Sequence, residues 1–575
     1  MPFFKLLFLI AISYLPFRMA IAGHLGSFCP VERLALSIFG SLILFFISGM
    51  ASFLAGAPGL HLVVPLGLLL HGVVFRWRRR GTRIDGPEVN ALIVLTLAST
   101  WVLLAQTSIV NYSGGDWYGD WYEHYERALL FGGRLPLDHK FLDMSPLAGR
   151  PPLFNVACHY FMSFIGSGFS DYQVIATFLG SLVVLPAGTL LARLTRTFVP
   201  SADARRLVFP LVCIVLLLNP MVATNLIYPW TRMLSNGFLL MGLHLYLRVV
   251  LDRADGLLPA CVGLLVAAHL THYSADVVIL PMALHLLCHV CRSLPRMRQP
   301  AVAAALVALT LGGLWHGWSV ATYGFGGALA SNTTWKSIEG RPIGWLSGDI
   351  LTNLGRTLWP LMAQIDVRQM DPSQTWHALY DRLHPYWTSS LVGAISTSAL
   401  LVVAAALVQV ATGKRQPMWR SPRDIRLILP IMAVAFGIGF LVVPWVEAAG
   451  IAHLSLQPIC IILLLLLLMA VLGGPRWVAG SFSMLYAAEA FLFYFLKTLA
   501  RVTPTPTSLS ALYSQSYYRN LRLKLVEHQL VFLSDQYPGP RELSRYVILG
   551  LVPVAGCVAW WLLRRIPSVE RADRR

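Results

Sequence analysis

The sequence predicts an all-α protein, a polytopic bundle of about 13–15 transmembrane helices. Of the 575 residues, 56% are hydrophobic and only 13% are charged, and the mean hydropathy is +0.63. A soluble globule of this size needs more polar residues to cover its surface. In addition, apolar segments of about 20 residues, the length that crosses the hydrocarbon core, recur along the whole chain. We therefore expect lipid to surround the protein.

The apolar segments divide one membrane domain into alternating spans and loops. Residues 1–23 fit a signal peptide or a retained first span, and Pro16 and Arg18 favour the span. The candidate spans are 5–23, 35–57, 60–76, 90–110, 171–192, 207–226, 231–250, 257–272, 273–291, 301–322, 389–411, 427–446, 453–473, 477–497 and 545–563. The expected divisions are N-terminal spans at 1–110, an outer loop with juxtamembrane helices at 111–170, central spans at 171–322, an outer loop or cap at 323–388, further spans at 389–497, an outer loop at 498–544, and the last span and cytoplasmic tail at 545–575.

The positions of the basic residues explain the net charge of +18. Seven short segments hold 25 Lys and Arg residues and fall on one side of the expected topology: 76–83, 193–206, 248–253, 292–298, 414–426, 476 and 564–575. The three long loops at 111–152, 324–388 and 498–544 hold 14. Because cytoplasmic loops are enriched in Lys and Arg, we expect the long loops outside. No basic run is interleaved with aromatic residues as in a single-strand binder, so we expect no nucleic-acid partner.

The first long loop concentrates acids and aromatic residues. Its acids are Asp116, Asp120, Glu123 and Glu126. Read as a helix from about residue 119, the loop places Asp120 and Glu123 on one face, and Glu123 and Arg127 four residues apart. Neighbouring Trp and Tyr residues favour a helix along the membrane interface. An aromatic belt with solvated acids is the alternative interpretation.

A proline pair follows in the same loop, in the sequence Arg150-Pro151-Pro152-Leu153-Phe154. Proline fits the first turn of a helix, so the pair predicts the start of a short helix at about 153–166. This segment is too short to span the bilayer, which predicts a juxtamembrane or re-entrant helix.

The acid-bearing aromatic segment, followed by the proline pair and its short helix, resembles the first outer loop of the GT-C type of membrane glycosyltransferases. The resemblance is strongest to the relatives of protein O-mannosyltransferases and aminoarabinose transferases. Gly119-Asp120 and Arg150-Pro151-Pro152-Leu153-Phe154 carry the resemblance, over roughly 115–195. That family often has a second acid where Trp121 stands, so Glu123 or Asp116 would have to supply it.

The resemblance implies transfer of a sugar from a polyprenyl-phosphate donor to a glycan, lipid or protein acceptor, with inversion, on the non-cytoplasmic face. It implies that Asp120 is the general base, with Glu123 or Asp116 orienting the acceptor or the base. A phosphate leaving group needs cations, and the candidates at the outer ends of spans are Arg150, Arg232 and His272. His272 and Asp276, four residues apart, are alternatively a mutual pair or metal ligands. No cofactor is certain, and a divalent metal ion is left open. We expect a multi-pass protein of a bacterial inner membrane.

Two other functions are weighed. A transporter or flippase of a lipid-linked or polar substrate would concentrate charges near the bilayer midplane, where Glu489 is the notable acid. A glycopolymer ligase or polymerase with a pyrophosphate-linked donor would rely on later outer loops, such as the basic segment 498–544. The spacing of His285, Cys288 and Cys291 resembles a metal site, but buried thiols are the favoured interpretation.

Overall fold

The regular elements of the described part of the chain are helices, which confirms the all-α class. The computed structural model describes residues 2–20, 25–63, 65–67, 70, 84–109, 120–141, 146–197, 199, 201–330, 343–358, 379, 383, 386–388, 390–412, 423–442, 456–500 and 531–566. We number the helices α1 (Pro2–Ala20), α2 (Pro30–Leu54), α3 (Gly86–Thr107), α4 (Asp120–Phe131), α5 (Leu153–Ile165), α6 (Phe169–Ser181), α7 (Val184–Thr195), α8 (Ala202–Leu218), α9 (Pro220–Ile227), α10 (Arg232–Leu251), α11 (Leu258–Thr271), α12 (Asp276–Arg292), α13 (Leu294–Gly312), α14 (Trp318–Ala330), α15 (Ile343–Leu358), α16 (Leu391–Ile395), α17 (Ala399–Ala411), α18 (Arg423–Val442), α19 (Gln457–Gly473), α20 (Arg476–Phe495), α21 (Leu533–Gln536) and α22 (Pro538–Arg565).

Ten helical segments among the described residues are long and apolar enough to cross a membrane, which supports a multi-pass membrane protein. They are Pro2–Ala20, Pro30–Leu54, Gly86–Thr107, Phe169–Thr195, Arg232–Leu251, Tyr273–Arg292, Leu294–Ala328, Arg423–Leu441, Arg476–Thr498 and Arg541–Arg565. An eleventh is reached if the bent pair Asp203–Leu218 and Pro220–Ile227 is one span.

The number of long apolar helices among the described residues is lower than the 13–15 spans expected from the sequence, because several apolar segments form short or broken helices. Helix α11 has 14 residues and α19 has 17, less than the roughly 20 that cross the hydrocarbon core. The segment 389–411 is divided into α16 and α17. Most of the expected span 60–76 lies outside the described residues.

Asn219 and Pro220 bend the segment 207–226 by 79° between α8 and α9. Proline has no N–H to continue the ladder of α8, so the chain starts a new helix there. The side chain of Asn219 caps α9 by accepting a hydrogen bond from the Val222 N–H at 3.0 Å. Its Nδ2 donates to the Ala394 carbonyl at 3.0 Å, which joins the bend to α16.

Glu489 of α20 stabilises the break between α16 and α17. Its carboxylate accepts hydrogen bonds from Ser396 Oγ at 2.5 Å and from the Thr397 N–H at 3.0 Å. Thr397 Oγ1 donates to the other oxygen at 2.9 Å. Ser396 has a φ of 108°, a backbone conformation unusual for a residue other than glycine. This intramembrane acid therefore satisfies the polar groups of a broken helix.

Helices α6 and α7 form the centre of the bundle. The most apolar window of Phe169–Thr195 is fully buried, whereas that of Leu294–Ala328 is only 17% buried and faces outward. Small residues let the surrounding helices approach each other closely. A Cβ at Gly49 of α2 would lie 2.4 Å from Val156 of α5, so only glycine fits there.

The bundle has two polar ends, which α10 connects. Arg232 begins this helix and Arg248 lies near its end, 16 positions on, which corresponds to about 24 Å. Arg193, at the end of α7, lies on the Arg248 side, where it binds Asp252 and Asp424. Helix α4 of the first long loop lies at the Arg232 end, because Trp121 and Tyr125 contact Phe169 at the start of α6.

Candidate functional site

Helix α4 and the loop 146–152 form a buried salt bridge. The Arg127 Nε and Nη2 donate to Glu123 Oε1 at 3.0 and 2.7 Å, with the two side chains four residues apart as the sequence predicts. Arg127 also donates to the carbonyls of Leu147 at 2.7 Å and Pro146 at 3.1 Å. Its guanidinium lies 4.2 Å from the ring centre of Phe141. Arg127 therefore fixes the loop that carries Arg150 against α4.

Arg150 approaches the other oxygen of the same carboxylate. Its Nη2 lies 3.6 Å from Glu123 Oε2, and its side chain remains 23% exposed. The chain then passes through Pro151 and Pro152 into α5, which has 13 residues, so the short helix after the proline pair is confirmed. On α5, Asn155 contacts His124 of α4, with Oδ1 3.1 Å from Nδ1.

The charges around Glu123 keep its carboxyl group ionised. Burial alone would raise the pKa of Glu123, but the positive charges of Arg150 and Arg127 outweigh it and lower the pKa to about 2. A carboxylate held by two guanidinium groups is a weak proton acceptor. Glu123 is thus suited to positioning the two arginines.

Arg232 brings a further cation from the first position of α10. It is 5% exposed, and its guanidinium lies 3.8 Å from the ring centre of Trp230. A helix N-terminus carries a partial positive charge, which favours anions and disfavours an arginine. The cation and the helix end therefore add to one positive potential, which suits an anionic ligand.

His272 connects α11 to the short helical turn Tyr273–Ala275 and lies close to both arginines. Burial, and then the charges of Arg232 and Arg150, lower the pKa of His272 well below its usual value. Its Nδ1 accepts a hydrogen bond from the Ser274 N–H at 3.1 Å. Since Nδ1 is an acceptor, we assign the proton of the neutral ring to Nε2, which makes Nε2–H a hydrogen-bond donor.

The structure thus brings Glu123, Arg150, Arg232 and His272 together at one end of the bundle, although they lie on three separate parts of the chain. Their roles stay predictions. The side chain of Asp120, the first residue of α4, and the whole of Asp116 lie outside the described residues. The assignment of Asp120 as the base is therefore a prediction from the sequence.

The pairing of Asp276 and the burial of the aromatic residues of α4 differ from the expectations. Asp276 pairs with His269, with Nδ1 2.8 Å from Oδ1, rather than with His272. The aromatic residues of α4 do not form an interfacial belt, since Trp121 and Tyr122 are only 4% and 2% exposed. They are buried because α4 packs against the start of α6.

Sequence reasoning did not assign a site role to Arg127 or Tyr273. The spacing of Glu123 and Arg127 predicted their pair, but backbone carbonyls 20 residues further along the same loop have no sequence signal. Tyr273 follows His272 directly and lies within electrostatic range of Arg127 and Arg150.

No metal site is evident in the described part of the chain. None of the His, Cys, Asp and Glu residues there form a group of three suited to an ion. His285 instead contacts the Tyr246 hydroxyl through Nδ1 at 2.7 Å. Cys288 and Cys291 are free thiols, and both are exposed on the surface of the bundle, so the expectation that they are buried was wrong. The basic residues expected at 501–528 lie outside the described residues.

No protein-family model matches the sequence, and a search of curated proteins found no match. Among solved structures, the chain is similar to ArnT from Cupriavidus metallidurans bound to undecaprenyl phosphate, with a TM-score of 0.45, 14% sequence identity, and coverage of 82% of this chain and 75% of that chain. It is also similar to the same ArnT in the apo state, with a TM-score of 0.44, 14% identity, and coverage of 83% and 76%. A likeness at this level assigns no function to this chain.

Proposed function

We propose that the protein is a membrane glycosyltransferase that transfers a sugar, with inversion, from a polyprenyl-phosphate donor to an acceptor on the non-cytoplasmic face. One observation carries this proposal: two arginines and a neutral histidine converge beside the acid-bearing helix α4. In the sequence, the same helix and the following proline pair carry the resemblance to GT-C enzymes.

The cations would bind the phosphate of the donor. An arginine fork binds phosphate oxygens in bidentate fashion and strengthens as negative charge develops on the leaving phosphate. Arg150 and Arg232 supply such forks, and the Nε2–H of His272 supplies a donor without adding a charge. Glu123 holds Arg150 and Arg127 in place through its two oxygens.

The acceptor hydroxyl would be activated by Asp120. Its carboxylate takes the hydroxyl proton while the acceptor oxygen bonds to the anomeric carbon, on the face opposite the phosphate. The bond between that carbon and the phosphate oxygen breaks, and the electron pair leaves with the polyprenyl phosphate. Attack from the opposite face inverts the anomeric configuration.

The decisive variant is Asp120→Asn, which keeps the shape of the side chain and removes the base. We expect transfer to fall by about 100-fold or more, as is typical when a general base is lost. Asp138→Asn is the matched control, because Asp138 lies in the same loop and is exposed. The measurement is sugar transfer from a radiolabelled polyprenyl-phosphate donor in proteoliposomes. An Asp120→Asn protein as active as the Asp138→Asn protein would overturn the assignment.

The same preparation separates the alternative functions. Movement of the lipid-linked sugar across the bilayer without product would indicate a flippase. Transfer that requires a pyrophosphate-linked donor would indicate a polymerase or ligase. Chelation with EDTA followed by addition of Mg²⁺ or Mn²⁺ tests a divalent ion, for which the sequence offers Asp116 and Asp120 as candidate carboxylates.

A further inference from the structure

A cavity lies at the end of the bundle opposite the candidate site. It has a volume of about 740 Å³ and lies between the ends of α2, α3, α7, α8 and α10. Five arginines line it, whereas the wall contains two carboxylates, Glu32 and Asp252. The arginines are Arg193, Arg196, Arg205, Arg206 and Arg248.

Some of these arginines have a structural role. Arg193 is only 5% exposed and binds Asp252 at 2.7 Å and Asp424 at 2.6 Å, so it ties three helix ends together. Arg248 lies 3.9 Å from Glu32, whose carboxylate is 2.6 Å from His244. These residues form the fixed wall of the cavity.

Two other arginines present their charge to solvent. The side chain of Arg196 is 48% exposed and lies 3.7 Å from Asp252. Arg206 is 66% exposed, and its partner Asp203 is 87% exposed, so water screens that pair. With Asp203 and Asp424 included, the arginines still outnumber the carboxylates. The cavity therefore favours an anion.

The floor of the cavity is apolar and reaches between the membrane-spanning helices. It includes Ala91 and Val94 of α3, Gly188 and Ala192 of α7, and Phe209 of α8. A free inorganic anion has no apolar surface to bury on this floor. The glycerol and the first methylenes of a lipid would bury apolar surface there. Basic pockets between helices at this depth are typical sites for anionic lipid headgroups.

We propose that this arginine cavity binds a phosphate-bearing anion, and that the anion is the headgroup of an anionic phospholipid. The phosphate oxygens would accept hydrogen bonds from Arg196 and Arg206 at the rim. The start of the acyl chains would lie on the apolar floor. This site is separate from the proposed sugar transfer, since it lies at the other end of α10.

The test compares two double variants of the full-length protein. Arg196→Ala with Arg206→Ala removes two of the three exposed arginines of the cavity and leaves Arg205 and the buried Arg193 in place. Arg292→Ala with Arg298→Ala removes the same charge from the same end of the bundle, at exposed positions outside the cavity wall. Native mass spectrometry of the protein titrated with phosphatidylglycerol gives the affinity of each. We expect the cavity variant to bind about tenfold more weakly and the control to stay within about twofold of the wild type.

Two further probes identify the source of the phosphate. Phosphatidylcholine should bind weakly to the wild type, and its affinity should be unchanged in the cavity variant. Millimolar inorganic phosphate should not displace phosphatidylglycerol. Displacement by inorganic phosphate would overturn the lipid assignment. Equal losses of affinity in both double variants, or no loss in the cavity variant, would overturn the site itself.

Discussion

Arg232 combines burial, a guanidinium stacked on Trp230 and a place at the positive end of α10. Replacing it with Ala removes a fork that would bind the leaving phosphate. We therefore expect kcat/KM for the donor to fall by about 100-fold, as when one preorganised donor is lost. Arg232→Lys should recover only part of this, because an ammonium cannot make the bidentate contact.

Donor kinetics in proteoliposomes measure this effect. Arg134→Ala is the control, because Arg134 is an exposed arginine at the same end and donates to Ser167 Oγ. Similar losses in the Arg134 and Arg232 variants would argue against phosphate binding by Arg232.

Glu123 allows a separate prediction on stability. Its side chain and that of Arg127 are 5% and 1% exposed, so Glu123→Gln leaves a buried guanidinium without its counter-charge. Breaking such a pair costs about 3–5 kcal/mol, and we expect a clearly lower Tm. Differential scanning fluorimetry in detergent measures it, with Asp138→Asn as the exposed control. An unchanged Tm would contradict the positioning role of Glu123.

The pH dependence of this effect has a definite sign. Because the folded-state pKa of Glu123 is lowered from 4.5 to about 2, its contribution to stability is complete above pH 4.5. It is lost as the pH falls through about 2, below which the carboxyl group is protonated in both the folded and unfolded states. The difference in Tm between the wild type and Glu123→Gln should therefore shrink between pH 4.5 and 2, and a constant difference would contradict it.

The candidate site was partly predictable because its residue types and the ends of its spans are visible in the sequence. Arg150, Arg232 and His272 were chosen since each lies where a span meets the outer side. The carbonyls of Pro146 and Leu147 that hold Arg127 are backbone groups, which every residue has, so nothing in the sequence distinguished them. The assignment of Asp120 as the base stays a prediction, since its side chain lies outside the described residues.

At the level of helices, the bend between α8 and α9 and the break between α16 and α17 depend on individual side-chain hydrogen bonds. Asn219 caps α9 with its Oδ1 and reaches α16 with its Nδ2. Asn219→Ala removes both bonds, and loss of the cap alone costs about 1 kcal/mol. Asn219→Ser keeps a capping oxygen but not the bond to Ala394. We therefore expect Tm to fall in the order wild type, Ser, Ala, and equal values for the two variants would contradict the capping role.

Hydropathy could not predict these breaks because it averages over about 20 residues. Asn219 and the short run Ser396-Thr397-Ser398 are brief polar interruptions of apolar segments, and their effect depends on partners in other helices. The dipeptide Asn219-Pro220 did contain a signal, since proline excludes continuation of the helix ladder. The turn at Ser396 depends on Glu489, which is 93 residues further along the chain.

Across the whole molecule, basic residues gather at the end of the bundle that lies away from the candidate site. Arg193 and Arg248 lie there, as do Arg292 at the end of α12 and Arg565 at the end of α22. Since Lys and Arg are retained on the cytoplasmic side during insertion, this end should be cytoplasmic. The candidate site, at the opposite end, should then face the side on which the proposed sugar transfer takes place.

Cysteine labelling tests this orientation directly. In a chain whose eight native cysteines are replaced by Ser, Asp138→Cys marks the site end and Arg298→Cys the basic end, and both positions are exposed. A membrane-impermeant maleimide added to intact spheroplasts should label only the cysteine at 138, and permeabilisation should add labelling at 298. The reverse pattern would place the arginine cavity outside and the candidate site in the cytoplasm. It would contradict the proposed face of transfer while leaving the convergence of Arg150, Arg232 and His272 unchanged. The predicted membrane orientation and the predicted binding of phosphate by these residues are therefore tested independently.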